Sequence, residues 1–161
     1  MELTRGERVV AFITEYCKVP EGAQVGKPLK LADFQKKFII DIYDNPHGTR
    51  KAFLSIARKN GKSGLIAAIL LAHICGPEAV QNSQIVSGAL SRDQAALVFA
   101  LAAKMINQDP RLVEVTRVIF SGKKILGLAK NVEYKALAAD GSTAHGLSPV
   151  VALLDEIGQI K

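Results

Sequence analysis

The sequence predicts an α/β fold: a mostly parallel sheet flanked by helices, with an antiparallel hairpin attached. Three observations predict it. Strand-length apolar runs alternate with helical segments, as in "AFLSIA" (52–57), the apolar stretch after Lys62, and "SQIVSGA" (83–89). These runs are almost continuously apolar, as strands covered on both faces must be. Finally, "VEVTRVIF", "KKILGLA" and "VEYKALA" between residues 113 and 138 follow one another without a helix, which suits a hairpin more than a crossover.

The elements follow in order. Thr4 and Glu7 form a Thr-x-x-Glu capping box, and Val9, Val10, Ile13, Tyr16 and Cys17 continue at helical spacing, so residues 5–17 form an amphipathic helix. "VPEGAQVGKP" (19–28) is a loop by its proline and glycine content. Asp33 is placed to cap a second helix over 34–43, with Phe34, Phe38, Ile39 and Ile42 on one face, and "DNPHGT" (44–49) breaks it. The strand 52–57 and the polar turn "RKNG" lead into a long apolar helix from near Lys62 to Gly76-Pro77. After the strand 83–89, Ser91 and Gln94 make another capping box for a helix with Val98, Leu101 and Met105 in register, ending before Asp109-Pro110. The three hairpin-type strands follow, two of them joined at Ser121-Gly122, then the loop "DGSTAHGLSP". "VVALLDE" closes the set as a fully buried strand ending in two carboxylates.

The whole chain fits one domain. It has 161 residues, 48% apolar and 22% charged, with neither an internal repeat nor a low-complexity tract. Its formal net charge of +6 suits a polyanionic partner such as DNA without requiring one. Cys17 and Cys75 stand far apart, with no cysteine or histidine at metal spacing, which argues against a disulfide framework and a zinc site and for a reducing compartment. The N-terminus lacks the apolar run of a secretory signal, and "LIAAILLAHIC" (65–75) is too short to span a bilayer.

The chemistry concentrates at "SIARKNGKSGL" (55–65). Holding a triphosphate requires converging backbone N–H groups, a helix N-terminus facing the charge, a lysine reaching the β- and γ-phosphates, and a hydroxyl for Mg²⁺. Here an apolar strand ends, Arg58-Lys59-Asn60-Gly61 turns, and Lys62-Ser63 opens a helix. The tripeptide Gly-Lys-Ser is common by chance; the strand before it and the helix after it carry the reading. Ile56 stands where the usual phosphate-loop pattern has its first glycine.

A second half of the site lies at Asp155-Glu156. Adjacent acids at the end of a buried strand are costly unless they face a cation or solvent. Strand residues alternate in direction, so the two carboxylates suit two roles: Asp155 in a Mg²⁺ shell and Glu156 polarising the attacking water. Parallel α/β sheets bring such strand ends to the edge where the phosphate loop lies.

Together "ARKNGKS", "LIAAILLAH", "QIVSGALSRDQAALVF", "VEYKALAADGSTAHGLSPVVALLDE" and "LADFQKKFIIDIYD" resemble the large terminase subunits of tailed bacteriophages, over essentially the whole chain. The resemblance implies a P-loop NTPase core of RecA-like type over 49–161, preceded by a helical lead-in over 1–48. It also accounts for Ile56, since the family's phosphate loop is a variant with an arginine near its start. Arg58 matches that arginine and becomes a candidate arginine finger supplied in cis. Gln35 falls in the segment resembling the family's glutamine motif, where a carboxamide can read adenine with a donor and an acceptor. Spacing alone makes Gln35 only a polar residue on an amphipathic helix. His145 is a loop residue beside Gly146, or a sensor of nucleotide state.

What the resemblance implies is an ATP- and Mg²⁺-dependent motor that packages viral double-stranded DNA into a procapsid. It would work as a ring on the portal protein, with a small terminase subunit, in the cytoplasm of the bacterial host. The family's further ATPase strands and its nuclease domain come after the position of Lys161. The expectation for this chain is therefore neither nuclease activity nor coupled translocation, an exposed apolar sheet edge and poor solubility. Two other readings stay open: an inert DNA-binding or assembly module, and a helicase-like P-loop ATPase.

Overall fold

A computed structural model describes residues 2–54, 62–89, 92–137 and 148–154. Helix α1 (Arg5–Tyr16) starts at its expected box: Glu7 N–H donates to Thr4 Oγ1 at 3.2 Å, and Thr4 N–H donates to Glu7 Oε1 at 3.0 Å. Its inner face buries Val9, Phe12 and Ile13, with Cys17 just beyond its end.

Helix α2 (Asp33–Tyr43) departs from the reading in two ways. The cap residue is Ala32, and Asp33 is the first helical residue. Alanine has no side-chain acceptor, so only the reciprocal half of a capping box forms: Ala32 N–H donates to Gln35 Oε1 at 2.8 Å. The buried stripe is Gln35, Ile39 and Tyr43, while Phe34 is 44% exposed and Phe38 and Ile42 are partly buried. Packing against α1 turned the helix so that a glutamine and a tyrosine, whose polar ends have partners, face inward.

Residues 51–54 carry no strand, and the rest of the expected strand 52–57 lies outside the described residues. Helix α3 (Lys62–Ile74) is apolar on nearly every side, and Leu65 and all residues from Ala67 to Ile74 are buried. Strand β1 (Gln84–Gly88) and helix α4 (Arg92–Asn107) follow as expected, with Val98, Leu101 and Met105 buried; of the expected cap, Ser91 and the side chain of Gln94 lie outside the description.

The run "VEVTRVIF" is not one strand. Asp109 caps a short helix, α5 (Pro110–Val115), accepting from Arg111 N–H at 2.9 Å, and strand β2 (Thr116–Ile119) begins only after it. Proline at the first helical turn after an aspartate cap outweighs the β-propensity of the valines. Strands β3 (Lys124–Gly127), β4 (Val132–Leu137) and β5 (Val151–Leu154) complete the sheet.

The sheet order is β2-β3-β4-β1-β5. Strand β1 is parallel to both β4 and β5, and β2-β3-β4 form the antiparallel extension. One row of side chains, Val118-Ile125-Tyr134-Ile85-Val151, crosses all five strands on the face packed by α3 and α4. Ile125, Tyr134 and Ile85 in its centre are sealed from solvent. The Tyr134 hydroxyl lies 2.6 Å from Ser87 Oγ, so a buried polar pair is satisfied beneath that row. Strand β5 is not fully buried as expected. At the edge of the described sheet only Val151 and Leu153 pack on the core, and Leu154 is 58% exposed.

Candidate nucleotide site

Helix α3 is oriented by its C-terminal end. The Ile74 carbonyl oxygen packs against Gly127, where β3 finishes and β4 begins. That is the edge at which the parallel strands start, so the N-terminus of α3 is directed toward the edge where β1, β4 and β5 finish. Strand β5 stops there at Leu154, in register with Gly88 of β1 and one residue before Asp155. A helix N-terminus and the ends of parallel strands at one edge form the crevice in which open α/β sheets bind ligands.

Of the expected phosphate-loop residues, Arg58, Lys59, Asn60 and Gly61 lie outside the described residues, as do Asp155, Glu156 and His145. Lys62 is the first residue of α3 and its side chain is outside the description; Ser63 is second and half-buried. Gly64 follows, and among the described residues a methyl group built on it would meet no atom within 4 Å apart from its chain neighbours and its own helix's backbone. A glycine in the first turn of a helix puts no side chain of its own between the backbone N–H groups there and a phosphate.

Gln35 is described fully. It is 8% exposed, on the buried stripe of α2, and its Oε1 already accepts the Ala32 N–H. One lone pair of that oxygen and the whole NH₂ group remain for another partner. A purine edge that offers both a donor and an acceptor fits what is left.

Sequence reasoning passed over the contact that ties α2 to α3. Tyr43 Oη and His73 Nε2 lie 2.7 Å apart, both residues buried, with their rings 5.8 Å apart and tilted. The Arg5 guanidinium covers the outer face of Tyr43 at 5.4 Å and makes a bidentate pair with Glu78, through Nε at 3.0 Å and NH2 at 2.6 Å. Burial pushes the Tyr43 phenol up and the His73 imidazole down, so both are neutral at pH 7. A tyrosine and a histidine at helix ends, separated by 29 intervening residues, carry no pairing signal in a single sequence.

The profile of the family "Terminase large subunit, ATPase domain" matches residues 33–161, most of the chain. The chain belongs to this family. The terminase large subunit of Enterobacteria phage HK97 is 65% identical over 159 residues, covering 99% of this chain and 32% of the relative. The crystal structure of the HK97 bacteriophage large terminase superposes with a TM-score of 0.92 at 64% identity, again over 99% of this chain and 32% of that one. The chain thus spans about a third of the length of the terminase relatives it matches. An ATPase domain implies nucleotide use, and the terminase match covers the sequence positions of Gln35, the phosphate loop and the acid pair. Among the described residues no helix is long and apolar enough to cross a membrane, and no cluster of histidine, cysteine and acidic residues could hold a metal ion.

Proposed function

We propose that this chain binds MgATP at the N-terminal end of α3 and forms part of the ATP-hydrolysing motor of a terminase that packages double-stranded DNA. The observation that carries the reading is the family match over 33–161, supported by the edge shared by the start of α3 and the end of β5. In this reading Lys62 reaches the β- and γ-phosphates, and backbone groups of Lys59, Asn60 and Gly61 surround them. Ser63 and Asp155 would hold Mg²⁺, which neutralises phosphate charge when bound. Arg58 stabilises charge developing on the γ-phosphoryl group, and Glu156 orients and deprotonates the attacking water. Gln35 reads the adenine edge with the capacity that Ala32 leaves free.

The partners that follow are double-stranded DNA, a portal protein, a small terminase subunit and further copies of the chain in a ring, at a procapsid in the bacterial cytoplasm. The net charge of +6 supports contact with a polyanion. The test is equilibrium binding of MgATP to this chain beside Lys62→Ala. Binding that the substitution abolishes is expected; equal binding by both proteins overturns the assignment of Lys62.

A further inference from the structure

We infer that Tyr43 and His73 are positioning residues for base recognition: their hydrogen bond fixes the roll of α2 against the phosphate-loop helix and so aims Gln35. The inference rests on the proposed role of Gln35 and adds residues outside the phosphate loop, the acid pair and the glutamine itself.

Gln35, Ile39 and Tyr43 occupy one stripe of α2 at successive four-residue steps, with Ile39 sealed in the core between them. Eight residue steps along the helix separate the first from the last, about 12 Å along the axis. On such a rod, rotation at the Tyr43 end is transmitted to the Gln35 end. Helix α2 packs broadly on α1 but has little direct contact with α3. The 2.7 Å Tyr43–His73 bond is a buried polar link between the helix that carries Gln35 and the helix that Lys62 and Ser63 open.

The link is held from both sides. Arg5 packs over the Tyr43 ring while paired with Glu78, and the Glu78 N–H donates to the Ala72 carbonyl at 3.1 Å, next to His73. Gly6 N–H and Thr4 Oγ1 donate to Asp44, just past Tyr43, at 2.9 and 2.7 Å. The end of α2 is thus gripped by the start of α1 and the end of α3, while Gln35 is tied only to the start of its own helix. A network that orders one end of a helix and leaves a satisfiable amide at the other is the arrangement expected of a support for a binding group.

The experiment compares affinities for MgATP and for magnesium tripolyphosphate, which has the phosphates without the base. Four variants of this chain are measured beside it: Tyr43→Phe, His73→Leu, His73→Gln and Gln35→Ala. Tyr43→Phe keeps the ring under Arg5 and removes only the hydroxyl, and His73→Gln keeps a neutral partner for it. The expected result is a fall of about two- to tenfold in the preference for MgATP in Tyr43→Phe and His73→Leu, the range one hydrogen bond is worth. Tripolyphosphate affinity stays unchanged, and His73→Gln retains the preference. An unchanged preference in Tyr43→Phe, or an equal loss for both ligands, overturns the inference. A wild-type preference that survives Gln35→Ala instead overturns the role of Gln35, and the inference with it.

Discussion

The carbonyl oxygen of Ile74 occupies the place a side chain at Gly127 would need: a β-carbon built there would sit 2.1 Å from it. The last turn of α3 therefore lies directly on the backbone of β3. Gly127→Ala must push helix and strand apart or break their packing. The expected loss is about 1–3 kcal/mol or more, read as a lower denaturant midpoint at unchanged slope. A variant as stable as the parent would mean that α3 does not end on this strand.

The acid stability of the chain should depend on Asp109. Hydrogen bonds from the Arg111 side chain hold its carboxyl down at about 2, against burial that works the other way. The same carboxylate caps α5. With the folded value below the ordinary 3.8, the stabilisation is complete above that value and is lost as pH falls from 3.8 toward 2. Asp109→Asn should be less stable than the parent at pH 7, and the difference should shrink through that window in urea titrations.

His73 acts in a higher range. Burial lowers its pKa from the ordinary 6.5, so the unfolded chain takes up protons that the folded chain refuses. Stability is unaffected above that value and falls as the pH drops below it. Glu78 opposes this shift and Arg5 reinforces it. His73→Gln should flatten the fall of stability as the pH drops below 6.5, by on the order of one proton's worth of slope. A slope identical to that of the parent would place the proton uptake elsewhere.

Glu156→Gln should leave MgATP binding within about twofold and slow hydrolysis by about 10²–10⁴, the range for loss of a general base. Binding and single-turnover hydrolysis are measured on the same preparation, using a longer terminase chain if this one proves slow. Normal hydrolysis by the variant would remove Glu156 from its assigned role.

Much of the fold was legible because local signals agreed. The Thr4 capping box, the Gly76-Pro77 stop after α3 and the Ser121-Gly122 turn each mark an element end that the structure keeps. Where signals competed, the reading failed. The valines at 113 and 115 speak for a strand, but the Asp109-Pro110 cap made a helix there. On α2 the apolar count selected Phe34, whereas packing selected Gln35 and Tyr43, because the Gln35 Oε1 and the Tyr43 hydroxyl each have a partner on the inner face. For the site, Ser63 and Gln35 could be located, while Arg58, Asp155 and Glu156 lie outside the described residues. The Tyr43–His73 pair was invisible to periodicity because the bond joins two helices far apart in the chain.

The lead-in helix has a consequence for where this protein can be cut. The family match begins at residue 33, yet Val9 and Ile13 of α1 are completely enclosed and Arg5 braces Tyr43. Trimming a clone to the matched region would strip one wall from the hydrophobic interior and bare Ile39 and part of α3. A chain that melts as one cooperative unit is therefore expected to need α1 from Thr4 onward, about thirty residues before the family profile begins.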